Sequence, residues 1–103
     1  MTIDDFMATL ASAAPPADLA DTLRALWHDA RGDWDAAHRV AQDIDDAEGA
    51  WIHAYLHRKE GDVGNAGYWY RRAGRAAASG SLDEEWRTIA SALLSGSGGP
   101  PRT

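Results

Sequence analysis

The chain has 103 residues, a formal net charge of −6, no cysteine and five tryptophans. This length is enough for one small domain, and the tryptophans can supply much of its apolar core. The lack of cysteine excludes disulfides and thiolate metal sites. The negative charge argues against nucleic-acid binding, because such binding depends on neutralising phosphates.

The charge is distributed unevenly along the chain. Residues 1–50 carry a net charge of −8, whereas residues 51–103 carry +2. The N-terminus has no basic region of the kind found in secretory signals, and no apolar run is long enough to span a membrane. The sequence therefore predicts a cytoplasmic protein that does not contact a membrane.

Apolar residues recur at helical spacing in six segments, and no segment alternates with a period of two. The sequence thus predicts an all-α fold of six helices. The first helix is predicted over residues 3–13, and Pro15 and Pro16 should end it and open the second. Residues 45–49 are predicted to form a turn.

Two Gly-Asp pairs mark the centre of the chain. Gly32–Asp33 and Gly61–Asp62 are each expected to stop one helix through the glycine and cap the next through the aspartate. The apolar face of the fifth helix is predicted to run from Val63 to Ala77, where Ser79-Gly80-Ser81 breaks it. Ser81 and Glu84 then form a capping box for a sixth helix over residues 82–95.

The two Gly-Asp pairs lie 29 residues apart. Superposing them aligns Ala25 with Ala54, His28 with His57 and Ala37 with Ala66, which predicts a duplicated helical hairpin over about residues 19–45 and 48–78. Stacking as antiparallel pairs, with the first and last helices as caps, gives one domain over residues 1–95. Residues 96–103 are rich in Gly, Ser and Pro, and are predicted to be a disordered tail.

The second hairpin resembles a tetratricopeptide repeat in its second helix, through Gly61-Asp62, Ala66, Trp69-Tyr70 and Ala73. The small Ala66 permits close helix packing, and Tyr70 stacks over the neighbour. The resemblance implies a short tetratricopeptide-like array of helices. The segment "WIHAYLHRKEGD" followed by "WYRRAG" also looks like small bacterial proteins, which implies no particular function.

In the tetratricopeptide family, the first helix of each pair lines a groove that holds a peptide. The resemblance therefore implies a partner-binding role for the matching positions, which are Trp51, Tyr55, Arg58 and Lys59. A shift of the register by one residue would instead place Trp51 and Tyr55 in the core.

The fifth helix carries a second candidate surface. If Ala66, Trp69, Tyr70 and Ala73 face the core, the opposite face presents Tyr68, Arg71, Arg72 and Arg75. Arginine and tyrosine are enriched at protein interfaces, and this face suits an anionic partner. The partner could be an acidic peptide, acidic residues 43–48 of another copy, or a phosphate-bearing ligand. The alternative is a solvated face that offsets the acidic first half of the chain.

His53 and His57 are four residues apart, so they share one helix face, with Glu60 nearby. Such a pair can bind a metal if a third ligand converges, but the sequence identifies no third ligand. His28 and His57 occupy equivalent positions before their glycines, which favours a structural role at the helix end. We therefore expect no metal and no cofactor.

The chain also lacks a nucleophile motif and a phosphate-binding loop. We expect a non-catalytic module that binds an acidic protein segment or assembles with itself. The alternative is a metal- or small-molecule-binding protein, such as a hydrolase, that uses His53 and His57.

Overall fold

A computed structural model describes residues 1–95, and the predicted tail at 96–103 lies outside that part. The described residues form six α-helices and a single 3₁₀ turn, with no strand, so the predicted all-α fold is confirmed. The helices are α1 (Ile3–Ala8), α2 (Asp21–Ala30), α3 (Trp34–Gln42), α4 (Ala47–Lys59), α5 (Val63–Ala73) and α6 (Leu82–Leu94).

No helix in residues 1–95 has both the length and the apolar character needed to cross a lipid bilayer.

The helices pack in chain order and then close back on themselves. α2 packs against α3, α3 against α4, and α4 against α5. Three-residue turns join α2 to α3 and α4 to α5, so each of these pairs is an antiparallel hairpin. α6 lies against α2 and α4, and also contacts α1. α4 also contacts α2, so it is surrounded by four other helices.

The two Gly-Asp turns have the same backbone geometry. Gly32 and Gly61 adopt left-handed φ values of 82° and 92°. The next residue in each turn donates its N–H to a histidine carbonyl, Asp33 to His28 and Asp62 to His57, both at 2.9 Å. Each aspartate side chain then accepts a backbone N–H of the following helix. The predicted stop and cap are confirmed at both turns.

The start of the chain differs from the prediction. α1 ends at Ala8 and continues as the 3₁₀ turn Thr9–Ala11. The predicted opening of α2 at Pro15 and Pro16 is wrong, since this helix begins only at Asp21. Residues 16–19 instead form a turn that the Leu19 N–H closes on the Pro16 carbonyl, at 3.2 Å.

Two further boundaries differ from the prediction. Asp46 caps α4 by accepting the Gly49 N–H, at 2.9 Å, so the predicted turn at 45–49 is shorter than expected. α5 ends at Ala73 because Gly74 adopts a left-handed φ of 72°, so Ala77 is exposed beyond the helix. The predicted capping box of Ser81 and Glu84 is confirmed.

α4 forms the centre of the core. Every residue from Gly49 to His57 is buried, which leaves the helix no solvated face in this stretch. Indole N–H groups bind neighbouring helices together: Trp34 donates to the Leu56 carbonyl at 2.9 Å, and Trp86 donates to the Leu26 carbonyl at 3.0 Å. The largest fully buried side chains are those of Phe6, Leu26, Ile52, Leu56 and Ile89.

Two buried carboxylates attach α4 to its neighbours. Asp29 of α2 accepts the Tyr55 hydroxyl at 2.8 Å and the Lys59 ammonium at 2.9 Å. Glu85 of α6 accepts the Arg58 guanidinium at 2.9 Å and also the Tyr70 hydroxyl. Within residues 1–95, no fully buried side-chain nitrogen or oxygen lacks a hydrogen-bond partner.

Gly49 allows the α3–α4 connection to lie directly on α4. A Cβ atom at Gly49 would lie 2.3 Å from the Ile44 carbonyl oxygen, whereas one at Gly67 would lie 3.5 Å from its nearest neighbour, Arg71 Nη1. We expect Gly49→Ala to lower the free energy of unfolding by about 1–3 kcal/mol through this clash. Gly67→Ala, the matched control, should raise it by about 0.5–1 kcal/mol because alanine favours helix. Urea unfolding of both variants measures this, and equal effects would contradict the close approach at Gly49.

Tyr55 and Tyr70 make stability fall in alkali. Burial, then Asp29, raises the pKa of Tyr55, and burial, then the hydrogen bond to Glu85, raises the pKa of Tyr70. The unfolded chain loses these protons first, above about pH 10, so unfolding becomes easier as pH rises beyond that value.

The measurement is urea unfolding across that pH range, with tyrosinate absorbance recorded in a Tyr68→Phe background. In that background the absorbance reports only Tyr55 and Tyr70, since the chain has three tyrosines. Tyrosinate should form together with unfolding. Full ionisation of both tyrosines in the folded protein near pH 10 would contradict their burial and their hydrogen bonds to the carboxylates.

Candidate functional site

Three histidines from two helices meet beside the core. His38 lies on α3, and His53 and His57 lie one turn apart on α4. One ring nitrogen of each lies within 4.8 Å of the others. The Nε2 atoms of His38 and His53 are 2.9 Å apart, a hydrogen-bond distance in which one donates and the other accepts. We call His38, His53 and His57 the histidine cluster.

Aromatic rings form the walls of the histidine cluster. The His53 ring stacks between Trp69 of α5, at a centroid distance of 4.0 Å, and His57, at 4.9 Å. The His38 ring stacks on Trp34, at 4.9 Å. His53 and His57 are buried and His38 is only partly buried, so the cluster opens to solvent on the His38 side.

A carboxylate orients the third histidine. Nδ1 of His57 lies 2.6 Å from Oε1 of Glu60, to which it donates its proton. The other ring nitrogen, Nε2, then has its lone pair available. A carboxylate that holds one nitrogen of an imidazole in this way is the usual support of a metal-binding histidine.

Two imidazoles of the histidine cluster, His38 and His53, have lowered pKa values. Burial, with His38 and His57 as further causes, lowers the pKa of His53 to about 4. Burial and the neighbouring His57 also lower the pKa of His38. At neutral pH each of these two rings therefore carries one nitrogen lone pair and no charge.

His28 and His57 share a backbone role but not a side-chain role. Both carbonyls accept the aspartate N–H of the following turn. The His28 ring, however, lies edge-on to Trp27 at 5.2 Å, and His28 is not part of the histidine cluster. The equivalence seen in the sequence therefore belongs to the turn, while the His57 side chain belongs to the site.

We call four exposed residues the basic face: Tyr68, Arg71, Arg72 and Arg75. The prediction that Arg75 lies on the fifth helix is wrong, because Gly74 ends α5 at Ala73 and Arg75 follows that end. Arg72 lies over the Trp69 ring at 5.3 Å, and Arg75 lies over the Trp51 ring at 3.4 Å. In residues 1–95, none of these arginines has a carboxylate within ion-pair distance.

The inner side of α5 only partly follows the prediction. Ala66 and Tyr70 are buried as expected, and Trp69 is partly buried at the edge of the core, where it packs on His53. Val63, predicted to face the core, is 75% exposed at the first position of the helix.

The groove positions implied by the tetratricopeptide resemblance are occupied by internal contacts. Trp51 and Tyr55 are 4% and 2% exposed, so the alternative register, with both in the core, is the one observed. A partner at the surface cannot reach the Tyr55 ring, which corrects its assignment as a binding residue. Arg58 and Lys59 form ion pairs with Glu85 and Asp29, respectively.

The histidine cluster contains a residue that the sequence analysis missed. His38 is separated from His53 by a helix boundary and a turn, so no motif spacing connects them. Comparison of the chain with models of protein families, with curated proteins and with solved structures gave no match. The chemistry of the site is therefore interpreted from its own geometry.

Proposed function

We propose that this protein binds a divalent transition-metal ion through His38, His53 and His57. The observation that supports this most directly is the convergence of three ring nitrogens, from two different helices, within 4.8 Å of one another. A sphere of three imidazoles around one ion is a known arrangement for zinc. The Nε2 atoms of His38 and His53 are 2.9 Å apart, so one of the two rings now carries its proton on Nε2. For both Nε2 lone pairs to bind a metal, that ring would carry its proton on Nδ1 instead.

The ligand set indicates which metals fit. Three imidazoles suit Zn²⁺, Co²⁺, Ni²⁺ or Cu²⁺, whereas Mg²⁺ and Ca²⁺ require oxygen ligands. Three protein ligands leave a fourth position for water or a small molecule, which would enter from the solvent side, beside His38. The hydrogen bond from His57 Nδ1 to Glu60 would leave Nε2 as the nitrogen of that ring to bind a metal.

Metal binding would also connect two helices. His38 is on α3 and the other two ligands are on α4, so one ion would hold these elements together beside the Trp34–Leu56 hydrogen bond. Because the ligand set is complete only in the folded chain, binding would stabilise the fold by mass action.

We expect protein stripped with a chelator to bind one equivalent of Co²⁺ or Zn²⁺. At a Zn²⁺ concentration about 100-fold above the dissociation constant, the fold should gain about 2.7 kcal/mol. His38→Ala should weaken binding by tenfold or more, on the order of the loss of one ligand. Calorimetric titration gives stoichiometry and affinity, and the visible Co²⁺ absorption reports the coordination geometry.

The fourth histidine of the chain supplies the matched control. His28→Ala also removes one imidazole, but from outside the histidine cluster, and should leave the affinity unchanged. A direct readout is tryptophan fluorescence. Trp69 stacks on His53 at 4.0 Å and Trp34 stacks on His38 at 4.9 Å, so Cu²⁺ should quench part of it. A chelator-treated protein that gives neither a Co²⁺ band nor a thermal shift with Zn²⁺ would refute the proposal.

The basic face supports a second candidate function, which is binding of an acidic protein segment. Its guanidinium groups are exposed and have no ion-pair partner within residues 1–95. Two of them rest on aromatic rings, so less freedom is lost when they bind carboxylates. This function is compatible with the metal site, because it uses different side chains.

We expect a fluorescent poly-glutamate peptide to bind at low salt and to be released as salt rises. Arg71→Gln with Arg72→Gln should weaken this binding by about tenfold or more. The matched control is Arg24→Gln with Arg87→Gln, which removes the same charge from other helices. If fluorescence anisotropy gave the same peptide affinity for the two double variants, the basic face would have no binding role and would be only a solvated surface.

A further inference from the structure

We infer that the basic face docks on the acidic segment of a second copy of this chain, forming a two-fold dimer. The acidic segment consists of Asp43, Asp45, Asp46 and Glu48, at the connection between α3 and α4. This inference rests on the second candidate function above, and it names the partner that the basic face would bind.

The two charged surfaces lie side by side. α5 runs antiparallel to α4, so the end of α5 that carries the arginines is next to the start of α4. The hydrogen bond that Arg72 donates to Tyr68 raises the pKa of Arg72, and the nearby carboxylate of Asp45 acts in the same direction. No ion pair joins the two surfaces within residues 1–95. Opposite charges are thus neighbours in one chain without being neutralised by direct contact.

This arrangement fits a second copy better than an unrelated partner. An isologous interface needs one patch that is complementary to itself. When adjacent basic and acidic areas are related by a two-fold axis, each basic face meets the acidic segment of the other chain. Asp43, Asp45 and Asp46 are exposed, as are all three arginines, so both halves of this contact are accessible.

The experiment is sedimentation velocity at low and high salt on four proteins. They are the full chain, Arg71→Glu with Arg72→Glu, Asp43→Lys with Asp45→Lys, and the control Arg24→Glu with Arg87→Glu. Asp46 is left unchanged because it caps α4. We expect the full chain and the control to dimerise, more weakly at high salt. Each charge-reversed variant alone should dimerise at least about tenfold more weakly.

Mixing the two charge-reversed variants is the decisive step. In a heterodimer of the two variants, the reversed face of one chain would meet the reversed segment of the other at one contact. The unchanged face and segment would meet at the second contact, so opposite charges would be paired at both and the mixture should associate. A full chain that stays monomeric, or a mixture that does not associate, would overturn the inference.

The poly-glutamate titration separates this failure from that of the underlying function. If the full chain is monomeric but still binds the peptide, the proposed binding of acidic segments would stand. Only the second copy would then be excluded as the partner. A monomeric chain that binds no peptide would remove both. A dimer that persists in both charge-reversed variants would place the interface elsewhere.

Discussion

The burial of α4 on all sides is the constraint on which the rest of the structure depends. From Gly49 to His57 every residue of this helix is buried, yet the stretch contains two histidines and a tyrosine. A buried polar group without a partner costs on the order of 1–3 kcal/mol. The helices around α4 must therefore supply polar partners at fixed positions, and these partners fix how the helices pack.

The partners on two sides of α4 are carboxylates. Asp29 meets Tyr55 and Lys59, and Glu85 meets Arg58 and Tyr70. Each carboxylate receives one cation and one phenol, so its charge is compensated and its lone pairs are used. Removing either carboxylate would take away the acceptor of one phenol and the ion-pair partner of one cation. These two clusters are complete as structural devices.

The histidine cluster on the third side of α4 is chemically different. The partners of His38 and His53 here are each other, at 2.9 Å between the Nε2 atoms, and each of these neutral rings has one nitrogen lone pair. The low pKa of His53, about 4, shows that a proton is a poor addition to this site. A metal ion can accept several lone pairs at once, whereas a proton accepts only two. The same burial that produces complete carboxylate clusters thus leaves a set of donors suited to a metal.

Much of the fold could be predicted from the sequence because its signals are local. Each Gly-Asp turn needs a residue in the left-handed conformation followed by a capping carboxylate. Gly61–Asp62 supplies both with two adjacent residues, so the turn can be predicted from the sequence alone. Local signals were insufficient where tertiary contacts decide. Pro15 and Pro16 permit a helix start, but a turn closed by Leu19 delays it to Asp21. Gly74 ends α5 within an alanine-rich stretch that would otherwise support a helix.

The histidine cluster was only half visible in the sequence, for the same reason. His53 and His57 share a helix face by spacing alone, whereas His38 joins them only if α3 folds back on α4. The hairpin itself offered a signal, since His38 lies five residues before Asp43 and His53 lies seven residues after Asp46, at similar distances from the turn. That signal is useful only if it is known that α3 packs against α4. The spacing of apolar residues predicts where helices form but not which helices pack together.

Trp69 connects the two candidate sites. Its ring stacks on His53 at 4.0 Å, while the guanidinium of Arg72 lies over it at 5.3 Å. If the proposed metal reoriented the His53 ring, it would change the surface on which Trp69 rests, and Arg72 lies on the same indole. Linkage requires that any such effect be reciprocal: if a metal alters the affinity of the basic face for an acidic segment, that segment alters the affinity for the metal by the same factor. Because the Trp69 indole contacts both His53 and Arg72, it offers a direct physical route between the histidine cluster and the basic face.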